Sequence, residues 1–307
     1  MKYLNDALID YNILLNIKWL GLGIIGSMLI INSLDFILNN RKKNKKEIPI
    51  FDTHCHLTEY EDFKIEEIIN KAKEVGVKYI LNIGYDLETN KKVIKQSQEF
   101  TGLLIALGLH PDCDYALNEE NLIWIERHLN NKKVIALGEI GLEYYDYKTN
   151  IKKQKYWFAR QLTLAKFYNM PVLLHIRDES QQAYKDAYKI IKEIGVERGI
   201  LHAYTGDWEM AKKFLALGFY ISFAGNIINE VGKGKWEERW KEVIEKIPLE
   251  RLLIETDAPY ISPYPHHIIY TIKKIAEIKN ISIEEIKKIT YLNTLNLFHS
   301  RLYQDNI

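Results

Sequence analysis

Four histidines and two carboxylates in this chain could together hold divalent cations: His54, His56, Glu139, His175, His202 and Asp257. His54 and His56 stand one residue apart in the run FDTHCHL. Side chains two apart on a strand share a face, so both imidazoles can address one ion while Cys55 turns towards a helix layer. Asp52, two residues before His54, is spaced to orient a ligand as a hydrogen-bond acceptor. His175 in LLHIR and His202 in ILHAYTG each close an apolar run, where an imidazolium would be poorly solvated and a neutral metal ligand is useful. Glu139 in GEIGLEYY and Asp257 in LLIETDAP also lie at the ends of apolar runs. A carboxylate there needs a cation or a proton partner, and a glutamate can bridge two cations. Arg177, two residues after His175, is spaced to grip a phosphate bidentately or to form an ion pair with Glu139 or Asp257. His110 in GLHP ends another strand and is placed either to touch a substrate or to serve as a hydrogen-bonded histidine of the mouth.

Residues this far apart meet only if the fold carries them to one place. From residue 48 onward, short β-branched runs alternate with longer segments of helical period, the signature of a parallel sheet with crossover helices. Strands are expected at Ile48–Asp52, Val77–Ile83, Leu103–Gly108, Val134–Gly138, Val172–His175, Gly199–His202, Phe219–Ala224 and Leu252–Asp257. Amphipathic stretches lie between them, including Ile65–Glu74, Gln154–Tyr168, Glu179–Ile194, Trp208–Leu217 and Trp236–Ile247, and helices follow from His267 to Phe298. Eight such units are the usual content of an α/β fold of the (β/α)8 TIM-barrel type. A doubly wound open sheet is the alternative, but no glycine-rich phosphate fingerprint follows the first strand. All the candidate ligands then fall at carboxyl ends of strands, where the connecting loops of a barrel converge on one mouth.

Composition narrows the function classes. The chain has 307 residues, 47% hydrophobic and 27% charged, with 42 Lys+Arg against 41 Asp+Glu, which excludes disordered, collagen-like and coiled-coil chains. Residues 1–50 hold seven of the basic and four of the acidic side chains, leaving 35 against 37 in the rest. Such a body lacks a broad basic face, so a polyanion must be gripped locally. Two cysteines, Cys55 and Cys113, make no disulfide framework and point to a reducing, cytoplasmic compartment.

Residues 1–46 read as a separate hydrophobic helical extension to a catalytic domain at 47–307. Trp19 to Leu34 is a 16-residue run without a charge, followed by Asp35 and then Arg41, Lys42, Lys43, Lys45 and Lys46. A spanning helix takes about 20 apolar residues, and a basic flank marks the cytoplasmic side. The expectation is an anchor to the inner face of a membrane, or a segment that binds a protein partner. A buried helix, an interfacial helix and a start at Met28 are the competing readings.

The motifs FDTHCHL, GLHP, GEIGLEYY, LHIR, HAYTG, GFYISFAG and ETDAPY, in this order across residues 50 to 300, resemble the TatD family of metal-dependent deoxyribonucleases, within the amidohydrolase-like barrels. The resemblance implies a TIM barrel holding two or three divalent ions, Mg2+ or Mn2+ with Zn2+ as the alternative. It places metal-ligand roles on His54, His56, Glu139, His175, His202 and Asp257. It implies hydrolysis of DNA phosphodiesters, often from a 3′ end. A concave barrel mouth and the absence of a broad basic face add the expectation of single-stranded or frayed DNA ends as the substrate; Glu139, Asp257, Arg177 and His110 are the residues expected to carry the reaction. Tyr144, Tyr145, Tyr147 and Tyr204 are expected near the mouth, where they could stack on bases.

Two departures stand out. Glu143 occupies the position where the family usually has Asp, and after ETDAPY the chain passes through Pro265-His266-His267 straight into a helix, without the basic residues common there. Asn226 to Trp236, rich in Gly and Lys, is a candidate replacement surface. These features suggest a specialised paralogue similar to the TatD-like subunit of Qat-type anti-phage cassettes. Alternative functions keep the metals and change the bond, to an amide or ester as in D-aminoacyl-tRNA deacylases, or make the chain a partner-binding subunit of a defence complex.

Overall fold

The structure, a computed structural model, describes residues 48–145, 150–228 and 235–302, with the side chains of 235–238 left aside. The anchor and partner expectations placed on residues 1–46, and the position of Tyr147, lie outside the described residues, as does most of the Asn226–Trp236 stretch.

Eight parallel strands follow one another around the sheet in chain order: β1 Ile50–Cys55, β2 Val77–Ile83, β3 Leu103–Leu107, β4 Val134–Glu143, β5 Val172–Arg177, β6 Gly199–Leu201, β7 Tyr220–Phe223 and β8 Leu252–Ile254. Beyond β8 the circle is closed by backbone bonds, from Asp257 N to His54 O at 2.9 Å and from His56 N to Ala258 O at 2.8 Å. The fold is a (β/α)8 barrel, as the alternation of periods predicts. Its outer layer contains α1 Ile65–Glu74, α2 Leu87–Glu99, α3 Glu119–His128, α4 Ile151–Phe167, α5 Gln182–Ile194, α6 Trp208–Ala216, α7 Lys235–Lys246, α8 Ile268–Lys279 and α9 Ile283–Leu297, with a last turn α10 at His299–Leu302. The expected helical stretch His267 to Phe298 is two helices. Asn280 adopts a left-handed φ of 52° that ends α8, and Ser282 with Glu285 forms a capping box that starts α9.

Every strand contributes at least one side chain to an apolar plug on the barrel axis: Phe51, Leu81 with Ile83, Leu104 with Ala106, Ile135 with Ala136, Leu173, Ile200, Tyr220 and Leu253. Leu297 and Phe298 pack against the same plug, Phe298 lying 6.3 Å ring to ring from Phe51. Alternate positions such as Leu103, Ile105 and Leu107 of β3 pack outward with the helices. Cys55 joins that outer layer, as expected. Above the plug the axis turns polar: Thr53 Oγ1 reaches Ser222 Oγ at 3.3 Å and donates to Ile254 O at 3.0 Å. The apolar plug holds the strands together, and the polar layer marks where the barrel stops being core and starts being site.

The strand ends differ from the sequence expectation in ways that matter for the site. β4 runs five residues further than expected, through Glu139 to Glu143, and pairs with β5 up to the Glu143–Arg177 match. Glu139 therefore lies within its strand rather than after it. Gly141 makes the extension feasible: at a φ of 155°, an added Cβ would lie 1.7 Å from the His175 carbonyl oxygen, so only glycine lets the two strands approach there. β6 and β8 are shorter than expected, so His202 and Asp257 sit on the loops just beyond them.

Candidate metal centre

The structure brings all six predicted ligands, and His110, to one place at the carboxyl end of the barrel. Glu139 stands at the middle. Its Oε2 lies 3.6 Å from Nε2 of His54 and 3.6 Å from Nε2 of His56. Its Oε1 lies 2.9 Å from Nδ1 of His175, 2.9 Å from Nε2 of His202 and 3.6 Å from Nε2 of His110. Asp257 completes the first group, with Oδ1 at 3.5 and 3.4 Å from the same two nitrogens of His54 and His56. One carboxylate thus faces two ligand groups with its two oxygens, the first made by β1 and the β8 loop, the second by β3, β5 and β6. Three overlapping triads of these side chains offer ligand atoms within 4.8 Å of one another.

Several buried polar atoms in the cluster make no close hydrogen bond: Nδ1 of His54 and His56, and Oδ1 of Asp257, which lies 3.4 to 3.5 Å from the His54 and His56 nitrogens. An unpaired buried acceptor on this scale needs another binding partner. The Nε2 atoms of His54 and His56 point at each other across 2.9 Å, and the rings of His54 and His202 stack at 4.0 Å. Imidazoles crowded in this way around two carboxylates form a set of the kind that holds divalent cations. The residues present therefore fit the metal ions that the sequence motifs imply.

Electrostatics agree. Burial alone would raise the Glu139 and Asp257 carboxyls, but the surrounding histidines outweigh it. His202, His110 and His54 hold Glu139 well below the usual carboxylate range, and His56, His54 and His202 hold Asp257 low. Burial holds His54 below its ordinary value and, with His175 beside it, brings His110 down to about 3. Burial also opposes protonation of His175 and His202, but contact with Glu139, aided by Glu143 and Glu255 respectively, raises both.

Asp52 acts differently from the expectation. Its carboxylate accepts from the backbone N–H of Thr256 at 2.9 Å and from that of His54 at 3.3 Å, and from Thr256 Oγ1 at 2.5 Å. It ties β1 to the β8 loop through main chain, rather than touching an imidazole. The reason is an irregularity in β1 pairing between Asp52 and Cys55, which breaks the simple alternation that placed Asp52 and His54 on one face. Burial pushes Asp52 up to about 8.

Two acids support the second group from behind. Glu143 Oε2 lies 3.0 Å from His175 Nε2, leaving Nδ1 to face Glu139. The extra methylene relative to the family's usual Asp is accommodated, and Gln154 returns a bond to the Glu143 carbonyl. Glu255 was missed from sequence. It is fully buried, accepts from Ala203 N at 2.6 Å and lies 3.5 Å from His202 Nδ1. Its signal was present: an acid two residues before Asp257, directly after the apolar run Leu252 to Ile254. Backbone strain marks the same rim, since Asp257 and Ala203 take left-handed φ values of 49° and 40°, which non-glycine residues rarely adopt outside constrained sites.

The other predicted residues divide. Arg177 pairs with neither Glu139 nor Asp257. It lies 3.9 Å from Glu143, stacks 4.5 Å over Tyr145 and keeps 54% of its side chain exposed at the mouth. Tyr145 is half exposed. Tyr144 is half-buried and donates to Asp186 at 3.0 Å. Tyr204 is not at the surface at all: it is 1% exposed and donates to Asp207 O at 2.8 Å, because its side chain packs outward against Tyr184. Sequence position near a strand end did not reveal which way the ring turns.

Comparison with known proteins agrees with this geometry. A family model described as TatD related DNase matches residues 51–299. The chain belongs to the TatD family. It is 37% identical to the metal-dependent hydrolase YabD of Bacillus subtilis over 260 residues, covering 81% of this chain and 98% of the relative. It is 31% identical to a deoxyribonuclease TATDN1 homologue of Enterocytozoon bieneusi, covering 81% and 95%. Among solved structures, the TatD homologue YJJV of Escherichia coli K12 superposes with a TM-score of 0.73 at 28% identity, covering 81% of this chain and 98% of that one. This TatD protein is thus a metal-dependent hydrolase on a TIM barrel. Among the described residues no helix is long and apolar enough to cross a membrane.

Proposed function

We propose that this TatD protein hydrolyses DNA phosphodiesters, taking single-stranded or frayed ends in the reducing interior of the cell. The observation that carries the reading is Glu139, whose two oxygens face two adjoining groups of ligands. Paired divalent ions, when bound there, neutralise charge on the phosphate and acidify water. Four imidazoles against two carboxylates lean towards Mn2+ or Zn2+ over Mg2+. Asp257, beside the first ligand group, is held in the charged form by His56, His54 and His202 and accepts the proton of the attacking water. Arg177, with half its side chain at the mouth, pairs with phosphate oxygens of the substrate. His110, 17% exposed beside Glu139 and neutral at physiological pH, touches the substrate near the reacting phosphate. The concave mouth admits a strand end more readily than the side of a duplex, and the near-neutral body supplies no basic track along which a duplex would lie. The Enterocytozoon relative's description as a deoxyribonuclease homologue supports the same reading.

The test is end-labelled single-stranded DNA, duplex DNA and RNA with Mn2+, Mg2+ or Zn2+, beside an aminoacyl-tRNA. Fastest cleavage of single-stranded DNA, abolished by chelation, is expected. Rapid nicking of a closed duplex circle with no action on single strands would refute the end preference. Deacylation of the aminoacyl-tRNA with no DNA cleavage would replace the nuclease reading.

A further inference from the structure

The charge around the mouth is lopsided. On the rim formed by the β1, β2 and β8 loops, Tyr260 is 59% exposed and its ring stands edge-on to the ligand His56 at 5.0 Å. Tyr85 lies against the same histidine at 5.7 Å and donates its hydroxyl to Glu59 Oε1 at 2.8 Å. Tyr260 lies close enough to Tyr85 and Glu59 to feel both electrostatically. Glu59 is exposed, yet this bond fixes it beside the metal centre. Lys92, which reaches the neighbouring Thr58 carbonyl at 2.7 Å, also pairs with Asp62 at 3.3 Å. In a closed barrel of eight strands, β4 and β5 lie opposite β1 and β8. There the rim offers Arg177 stacked on Tyr145. An acid on one side and a guanidinium on the other bracket the ligand cluster.

A fixed carboxylate at the mouth of a site that binds polyanions repels any phosphate placed against it, and repulsion between charges a few ångströms apart near a protein surface is substantial. The same carboxylate is a good acceptor for a sugar hydroxyl. From this asymmetry, and resting on the nuclease reading above, we infer that Glu59, Tyr85 and Tyr260 form the subsite for the terminal nucleoside of a strand. The base stacks on the exposed Tyr260 ring. Glu59 accepts from the terminal sugar hydroxyl and turns away an end that carries a phosphate. The strand then leaves across the metal centre, with its next phosphate on Arg177. Glu59 is thus a specificity-determining residue that makes the enzyme select hydroxyl ends.

The test uses the full-length protein with Mn2+ and single-stranded oligonucleotides of one sequence, ending in hydroxyl or phosphate at the 3′ end in one pair and at the 5′ end in another. The wild type is expected to prefer hydroxyl by at least about tenfold in kcat/KM at one of the two ends. In Glu59→Gln that preference collapses to about threefold or less; the ratio is read within each variant, so a general loss of rate cancels. An abasic terminal nucleotide raises KM of the wild type by about fivefold or more, and in Tyr260→Ala it adds no further penalty. Equal cleavage of hydroxyl and phosphate ends by the wild type, or an unchanged ratio in Glu59→Gln, overturns this inference and leaves the nuclease reading standing. Hydrolysis of bis(p-nitrophenyl) phosphate without cleavage of any oligonucleotide overturns both.

Discussion

Stripping the divalent ions from this protein leaves a barrel whose stability peaks close to pH 6.5, the ordinary histidine value, and falls on both sides. His54 and His110 are held below that value by burial and by neighbouring imidazoles. Below pH 6.5 the unfolded chain takes up protons that these two refuse, so stability is lost as pH falls. His175 and His202 are held above it, because Glu139 outweighs their burial. Their contribution is complete below pH 6.5 and is lost as pH rises through their folded values. Each group changes stability by at most about 1.4 kcal/mol per pH unit. Asp52, pushed up to about 8, works against folding across the whole interval from pH 4 to 8. It softens the acid limb and steepens the alkaline limb, without moving the peak. Below about pH 4.5, the depressed carboxyls of Glu139 and Asp257 add to the acid loss. Saturating Mn2+ requires neutral imidazoles and therefore displaces protons, so it lifts the alkaline limb and moves the peak upward. The assay is the urea midpoint of protein dialysed against chelator, followed between about pH 5 and 8.5, with and without Mn2+. A metal-free midpoint that climbs steadily from pH 6.5 to 8 would show that the cluster does not divide its protons in this way.

Three further outcomes are expected. Glu139→Gln keeps the far-ultraviolet spectrum and loses hydrolysis by about a hundredfold or more, with calorimetry showing fewer metal sites; unchanged turnover would remove Glu139 from the centre. Gly141→Ala drives a methyl into the His175 carbonyl, so β4 and β5 must part and the urea midpoint should fall by the equivalent of about 2 kcal/mol or more; a wild-type midpoint would show that the close approach is unnecessary. If residues 1–46 bind a membrane or a partner, full-length protein pellets with that fraction, whereas a chain starting at Lys46 stays in the supernatant with the same rate per enzyme. A full-length protein that stays in the supernatant as a monomer without detergent would end that proposal.

Residue type and period carried most of this protein. Eight short β-branched runs alternating with segments of helical period point to the barrel, because parallel strands buried on both faces need crossover connections that are usually helices. Apolar runs ending in His or an acid marked the site, because buried strands admit such groups only where something compensates their charge. What the chain could not show by itself was orientation beyond the strands. The irregularity in β1 turned Asp52 from an imidazole to the main chain of Thr256. The outward packing of Tyr204 took it from the mouth into the core. Glu255 became a partner of His202 only when β6 and β8 were brought together through β7. The two-sided role of Glu139 is also a tertiary fact: it depends on β4 holding one carboxylate between ligands from β1 and from β5 and β6. Local sequence sets which groups are available and at what spacing, whereas the direction of each side chain is decided by pairing register and by packing against distant elements, which no local period encodes.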